Sequence, residues 1–238
     1  MAKLRTSVVQ ADGRGMDREG GVLHDLRFRA LLGTSAWSVL PPAIRERFSK
    51  RLAGGAAVTY VGEIVESRMT RLGWLIAQLC RAIGGPLPLG CDVAVPAVVT
   101  VTEDAATGGQ FWTRMYGRSR GFPQVIHSSK RFAGRTGLEE YLGCGFGIAL
   151  TVSADAEALH FHSDHYFLAA GPIRLRIPPM IAPGELTISH IDRPEGRFAF
   201  VLALHHPLFG EIVHQTGLFR EHAAYGRGDI PRSAALGG

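Results

Sequence analysis

Cysteine is scarce: Cys80, Cys91 and Cys144 are odd in number and form no C-x-x-C pair. That excludes a disulfide framework and a zinc ribbon, and points to a reducing compartment, with the cytoplasm as the expected location. No run approaches the ~18 unbroken apolar residues of a membrane-spanning helix, and the polar, Gly/Arg-rich start holds no apolar segment of a secretion signal. Neither secretion nor a membrane span is expected. Lysine occurs only at positions 3, 50 and 130, so arginine carries the formal net charge of +5. Arginine suits planar, two-pronged contacts with carboxylates and phosphates, although a coding sequence rich in G and C gives the same bias. Also missing are a G-x-S-x-G elbow, a G-x-G-x-x-G turn after a strand and a P-loop. Those nucleophile, dinucleotide and ATP sites are therefore not encoded. No period typical of repeat architectures recurs.

What is present is an ordinary globular composition, 46% hydrophobic and 20% charged over 238 residues. No linker divides the interior. The expected organisation is a disordered leader over 1–22, with Met16 as a second candidate start, one domain over 23–220, and a flexible tail over 221–238. The patterned heart is Phe146 to Phe219. There Phe146, Ile148, Leu150 and Val152 alternate with Gly147, Ala149, Thr151 and Ser153, and Phe198, Phe200, Leu202 and Leu204 alternate with Ala199, Val201 and Ala203. A period of two residues predicts strands with one bulky and one smooth face. Strands are also predicted over 56–68, 93–102, 110–118 and 125–132, with 138–142 as a short connector. Leu26, Leu31 and Leu32 mark a first helix, and a second starts near Pro41 or Pro42 and runs through Ile44, Phe48 and Leu52. Thr70 caps the most hydrophobic helix, which carries Leu72, Leu75, Ile76, Leu79 and Ile83. The fold class is therefore α+β: a curved, mostly antiparallel sheet, a half-barrel or open barrel, gripping that helix, with helices at the N-terminus.

Candidate chemistry is sparse. His160 and His162, two apart on a strand, could share a metal, with His205, His206 or His214 completing a site. The ordinary reading, a polar strand face and no metal, is preferred. Between Ala105 and Leu138 there is no acidic residue, while Arg114, Arg118, Arg120, Lys130, Arg131 and Arg135 interleave with Trp112, Tyr116 and Phe122. Such a hairpin could meet phosphate or an acidic partner. Nucleic acid is not favoured, because no recognised binding motif accompanies it. Glu63, Glu66, Glu139 and Glu140 read as surface carboxylates, and the cysteines as packing residues. If the smooth face encloses a cavity, Trp74, Arg114, Ala149, Thr151, Val201 and Ala203 are its expected lining. No cofactor is implied and no catalytic residue can be named.

Several short motifs carry a resemblance. Leu31-Leu32-Gly33, Leu40-Pro41-Pro42, Gly62-Glu63-Ile64, Trp112-Thr113-Arg114, Ser128 to Phe132, and His206-Pro207-Leu208-Phe209-Gly210 with Gly217 downstream stand in an order that resembles the uncharacterised bacterial domain-of-unknown-function family 4166. The resemblance spans Phe28 to Phe219. Members of that family occur alone or fused to saccharopine-dehydrogenase-like Rossmann reductases. It implies a partner module beside redox enzymes. The functional expectation is a binding or accessory module for an apolar or amphipathic small molecule, with a Rossmann-type reductase as protein partner. The alternative is an accessory enzyme or a protein-interaction domain working through the basic 110–135 hairpin.

Overall fold

The computed structural model describes residues 21–171 and 173–225. The expected leader, apart from its last two residues, and the tail beyond Tyr225 lie outside the described residues. The chain opens with β1 (Gly21–His24), α1 (Arg27–Val39), α2 (Pro42–Phe48) and β2 (Lys50–Ala53), and β1 pairs with β2 around the two helices. Gly33 breaks α1 at φ 76°, a conformation that only glycine adopts without strain. Pro42 starts α2, where its missing N–H costs nothing.

The remaining strands are β3 (Ala57–Met69), β4 (Val95–Asp104), β5 (Gly109–Tyr116), β6 (Gln124–Arg131), β7 (Leu138–Gly143), β8 (Phe146–Ala154), β9 (Ala158–Ala170), β10 (Ile173–Arg176), β11 (Glu185–Arg193), β12 (Arg197–His206) and β13 (Gly210–Tyr225). Leaving aside β10, which folds back on the end of β9, each pairs antiparallel with the next. The last pairs with the first: Phe219 lies opposite Gly62 and Val213 opposite Met69. The result is a closed up-and-down barrel of ten strands. It is more closed than the half-barrel expected, because β8 also pairs with β9 along its whole length, so no free edge remains in the ring. Residues 138–142, read as a connector, form β7, and β13 continues five residues into the stretch read as tail.

The bulky face, not the smooth one, turns inward. Ile148, Leu159, Phe161, Ile188, Phe198, Phe200, Leu202 and Leu204 are buried, and a ten-stranded ring is wide enough to need large side chains to fill it. The hydrophobic helix is likewise not held within the curve. It is α3 (Arg71–Leu79), followed by a 3-10 turn over Cys80–Ile83, and it packs across one barrel end on β13 and β3. Thr70 caps it as expected, accepting from the Gly73 N–H at 3.1 Å. Its buried residues are the small Gly73 and Ala77, while Trp74, Leu75 and Leu79 are exposed. A Cβ on Gly73 would strike the Ile212 carbonyl, so close approach to β13 is what sets this orientation.

Barrel closure gives the first test. A Cβ on Gly62 would collide with the Leu218 carbonyl across the β3–β13 seam. Gly62→Ala should lower the unfolding free energy by ~1–3 kcal/mol through overpacking, read as a lower urea midpoint. An unchanged midpoint would mean that the seam is looser than described.

Candidate functional site

The barrel interior has two unlike halves. The end that carries the β4–β5 turn is plugged by the N-terminal helices. Phe28 and Phe48 from α1 and α2 reach the inward rings of the barrel, with ring centres 5.9 and 5.8 Å from Phe161. His190 completes the plug, 5.0 Å from Phe48 and stacked 5.8 Å from Phe198. Both its ring nitrogens are buried without a hydrogen-bond partner among the described residues. Burial, then Arg47, Lys130 and Arg114, push its pKa well below the usual histidine value. It is a neutral packing group and not a base in reach of solvent.

The opposite half is hollow. A cavity of about 470 Å³ is walled by Ile148, Ile188, Phe200, Leu202 and Leu204 from the strands. Its roof comes from Ile76, Leu79, Ile83 and the loop Pro86-Leu87-Pro88. Gln124 clamps that loop, donating to the Gly85 and Leu87 carbonyls at 3.3 and 2.8 Å and accepting from the Leu89 N–H at 3.0 Å. Met180 and Ile181 line the cavity and are also 95% and 74% exposed, which puts the mouth beside the 177–183 segment. Leu75 and Leu79 of α3, together with Leu208 and Phe209 of the β12–β13 turn, are exposed at the same barrel end. That end is unusually apolar for a surface. Cys80 also lines the cavity, but burial pushes its thiol pKa up, away from thiolate chemistry.

Between plug and hollow lies a charged cluster built on three adjacent strands. Lys130 of β6 and Glu140 of β7 are direct cross-strand neighbours, and the lysine Nζ donates to Glu140 Oε2 at 2.5 Å. Arg114 of β5 donates to Glu140 Oε1 at 3.1 Å and to Ser128 Oγ at 3.0 Å. All three side chains are at least nine-tenths buried. Burial alone would raise the Glu140 pKa, but Lys130 and then Arg114 outweigh it and hold the carboxyl at about 2. Burial pushes the Lys130 pKa down, opposed by Glu140 and assisted by Arg114. Aromatic faces shelter the cations: Lys130 Nζ lies 5.1 Å from the Phe161 ring centre and the Arg114 guanidinium 5.7 Å from that of Phe200. Arg114 and Glu140 both line the cavity and so make its polar floor.

Of the six residues expected to line a cavity, the structure puts Arg114 in its wall. Trp74 is half exposed on α3. Ala149 is buried and Thr151 exposed, and Val201 and Ala203 are half-buried; none of these five is among the lining residues. They sit on the face that turns away from the interior. His160 and His162 also point outward, where they bond Ser189, Asp155 and Ser153 at 2.7–2.9 Å. No group of three or more His, Cys, Asp or Glu able to hold a metal occurs among the described residues. The basic hairpin is split, with Arg114 and Lys130 facing inward, Arg131 on Asp104 and Arg118 near Asp92. What the sequence reading missed was Glu140 and Lys130. The signal was parity: Leu138-x-Glu140-x-Leu142 and Ile126-x-Ser128-x-Lys130 put a charge in phase with the inward apolar set.

Fold and site together define a class: a closed antiparallel β-barrel, half plugged and half hollow, with an ion-paired floor. The chain belongs to the family described as Domain of unknown function (DUF4166), whose profile matches residues 40–219. No curated protein matches the chain, and no solved structure does. Among the described residues no helix is long and apolar enough to cross a membrane.

The cluster has a stability signature. Glu140→Gln leaves two buried cations without a counter-charge and should cost ~3–5 kcal/mol, whereas Lys130→Met leaves a balanced Arg114–Glu140 pair and should cost clearly less. Because folding depresses the Glu140 pKa from its ordinary value of 4.5 to about 2, its contribution is complete above about pH 4.5 and is lost as pH falls towards 2. Urea midpoints of the parent and both variants across that window check this; a Lys130→Met defect as large as that of Glu140→Gln would contradict the charge account.

Proposed function

We propose that the protein binds a small apolar or amphipathic molecule inside the hollow half of the barrel. The observation that carries this reading is the cavity itself: about 470 Å³, apolar along its walls, entered past exposed Met180 and Ile181, and closed below by Arg114 and Glu140. Interiors normally pack with few voids larger than a water molecule, so an apolar hollow of this volume is maintained against the tendency of side chains to collapse into it. Its size and its few convergent polar groups match those of small-molecule sites. Accessory work beside a Rossmann-type reductase fits this reading, because a carrier can hold an apolar substrate or product out of water. A module of this kind needs no catalytic group of its own.

Two measurements test the proposal. Native mass spectrometry of freshly purified protein should show an adduct of a few hundred daltons that is lost on denaturation. The uncharged probe N-phenyl-1-naphthylamine should brighten on addition to the protein and raise its Tm. Leu202→Trp, which places an indole in the cavity wall, should reduce that uptake at least about tenfold if the probe lies inside. Equal uptake by parent and Leu202→Trp would assign the probe to the exposed rim and overturn the proposal.

A further inference from the structure

The buried cluster is short of one negative charge. Arg114 and Lys130 bring two cations into the barrel interior, and Glu140 is the one carboxylate they share. No further carboxylate bonds either cation among the described residues. The neighbouring groups do not supply the deficit. His190 is neutral, and the Arg47 side chain, over the Phe198 ring at 4.0 Å, adds positive charge from the plug side. Glu139, next in sequence to Glu140, faces outward to Arg174 and Tyr141. A net buried charge of this kind is costly without a partner. Burial pushes the Lys130 pKa down and Arg114 adds to that push, against the pull of Glu140.

The unmet charge faces the cavity. Lys130 lies behind the floor, whereas Arg114 is part of the lining. Its guanidinium has five N–H donors, and its two hydrogen bonds to protein, to Ser128 and Glu140, leave three without a partner among the described residues. Other polar side chains line the same hollow, among them Tyr166 and His206 as well as Glu140. Gln215 of β13 and Tyr116 of β5 are each 6% exposed, and neither side chain has a hydrogen-bond partner among the described residues. Tyr116 lies near enough to Arg114 and Glu140 for both charges to act on its phenol. A cation fork with spare donors, an amide and a buried phenol are thus among the polar groups that open onto this largely apolar chamber.

Resting on the cavity reading above, we infer that the ligand is a long-chain or otherwise apolar monocarboxylate, its carboxylate seated at the floor against Arg114 and its tail directed towards Met180 and Ile181. A carboxylate brings the one charge the cluster lacks and matches the planar guanidinium fork with two oxygens. A phosphate dianion would overshoot the deficit and crowd Glu140, which borders the same space. An amine would add a third cation to the interior. The tail needs no specific partner, since Ile148, Ile188, Leu202 and Leu204 offer apolar wall along the way to the mouth.

The test is competition against N-phenyl-1-naphthylamine with three ligands that share a tail: dodecanoate, methyl dodecanoate and dodecylamine. Dodecanoate should displace the probe at least about tenfold more tightly than its methyl ester, as expected for a charge-assisted hydrogen bond in a dry site. Dodecylamine should be the weakest. The ratio of acid to ester affinity is the readout. It should fall towards one in Arg114→Gln, and should also fall in Lys130→Met, which removes the surplus charge without altering the cavity wall and so keeps the test open if Arg114→Gln fails to fold. Equal affinity for acid and ester in the parent would overturn the monocarboxylate inference and leave the cavity reading standing. A full acid preference retained in Lys130→Met would overturn the charge-deficit argument. If none of the three displaces a probe that binds, the monocarboxylate inference also falls; if the probe itself does not bind, both readings fall.

Discussion

The antiparallel pairing of β3 with β13 joins the first long strand of the sheet to the last, and the interior exists because of it. An open ten-stranded sheet would twist and present two edges to any passing strand. Closure turns the same alternation of large and small residues into an inside and an outside. The seam is made by backbone approach: Gly62 and Gly73 sit where a Cβ would meet the carbonyls of Leu218 and Ile212, so β13 is held closely by β3 on one flank and by α3 at its end. The ring must close before the interior can be divided, which makes the seam the precondition for both the plug and the hollow.

The division itself follows from the order of elements. The N-terminal helices precede the barrel strands and cover the end where the β4–β5, β8–β9 and β11–β12 turns gather, and Phe28 and Phe48 fill the ring from below. At the opposite end the connection from β3 to β4 is long enough to include α3 and the Gln124-clamped loop. Those elements roof the barrel without entering it, because α3 buries only its two small residues deeply and leaves its larger ones to the rim and the surface. A helix with larger residues in place of Gly73 and Ala77 would stand further from β13. The hollow is thus a consequence of a helix that lies across the barrel end and not within the barrel.

How much of this was legible depended on whether the signal was local. The strands over 56–68, 93–102, 110–118 and 125–132 were readable because alternation is a property of neighbouring residues, and Thr70 was readable as a cap for the same reason. The inward face was not. The same alternation supports either orientation, and the choice depends on closure, which depends on a pairing between Gly62 and Phe219 that no local pattern announces. The cavity lining was misplaced for that reason: Ala149, Thr151, Val201 and Ala203 share the right strands but the wrong side. Arg114, in phase with Trp112 and Tyr116, is the residue of that expected set that borders the cavity. The roles of Lys130 and Glu140 were missed because a charge within a strand is ordinarily a solvated one, and only their phase with Ile126 and Leu138 marked them as interior.

That phase carries a physical argument of its own. A buried ion pair is weak support for a fold, since well-packed apolar residues of the same volume often serve stability as well or better. An unequal cluster is worse than a pair, because the surplus charge has no protein group to meet it. Its position sharpens the point: in the plug, among Phe28, Phe48 and His190, the surplus would be unreachable. On the floor of the hollow, Arg114 keeps donors free towards a space that a molecule can enter. The cost of the cluster and the apolar cavity beside it are therefore complementary, each of them a departure from ordinary packing that a single anionic, apolar-tailed guest would relieve.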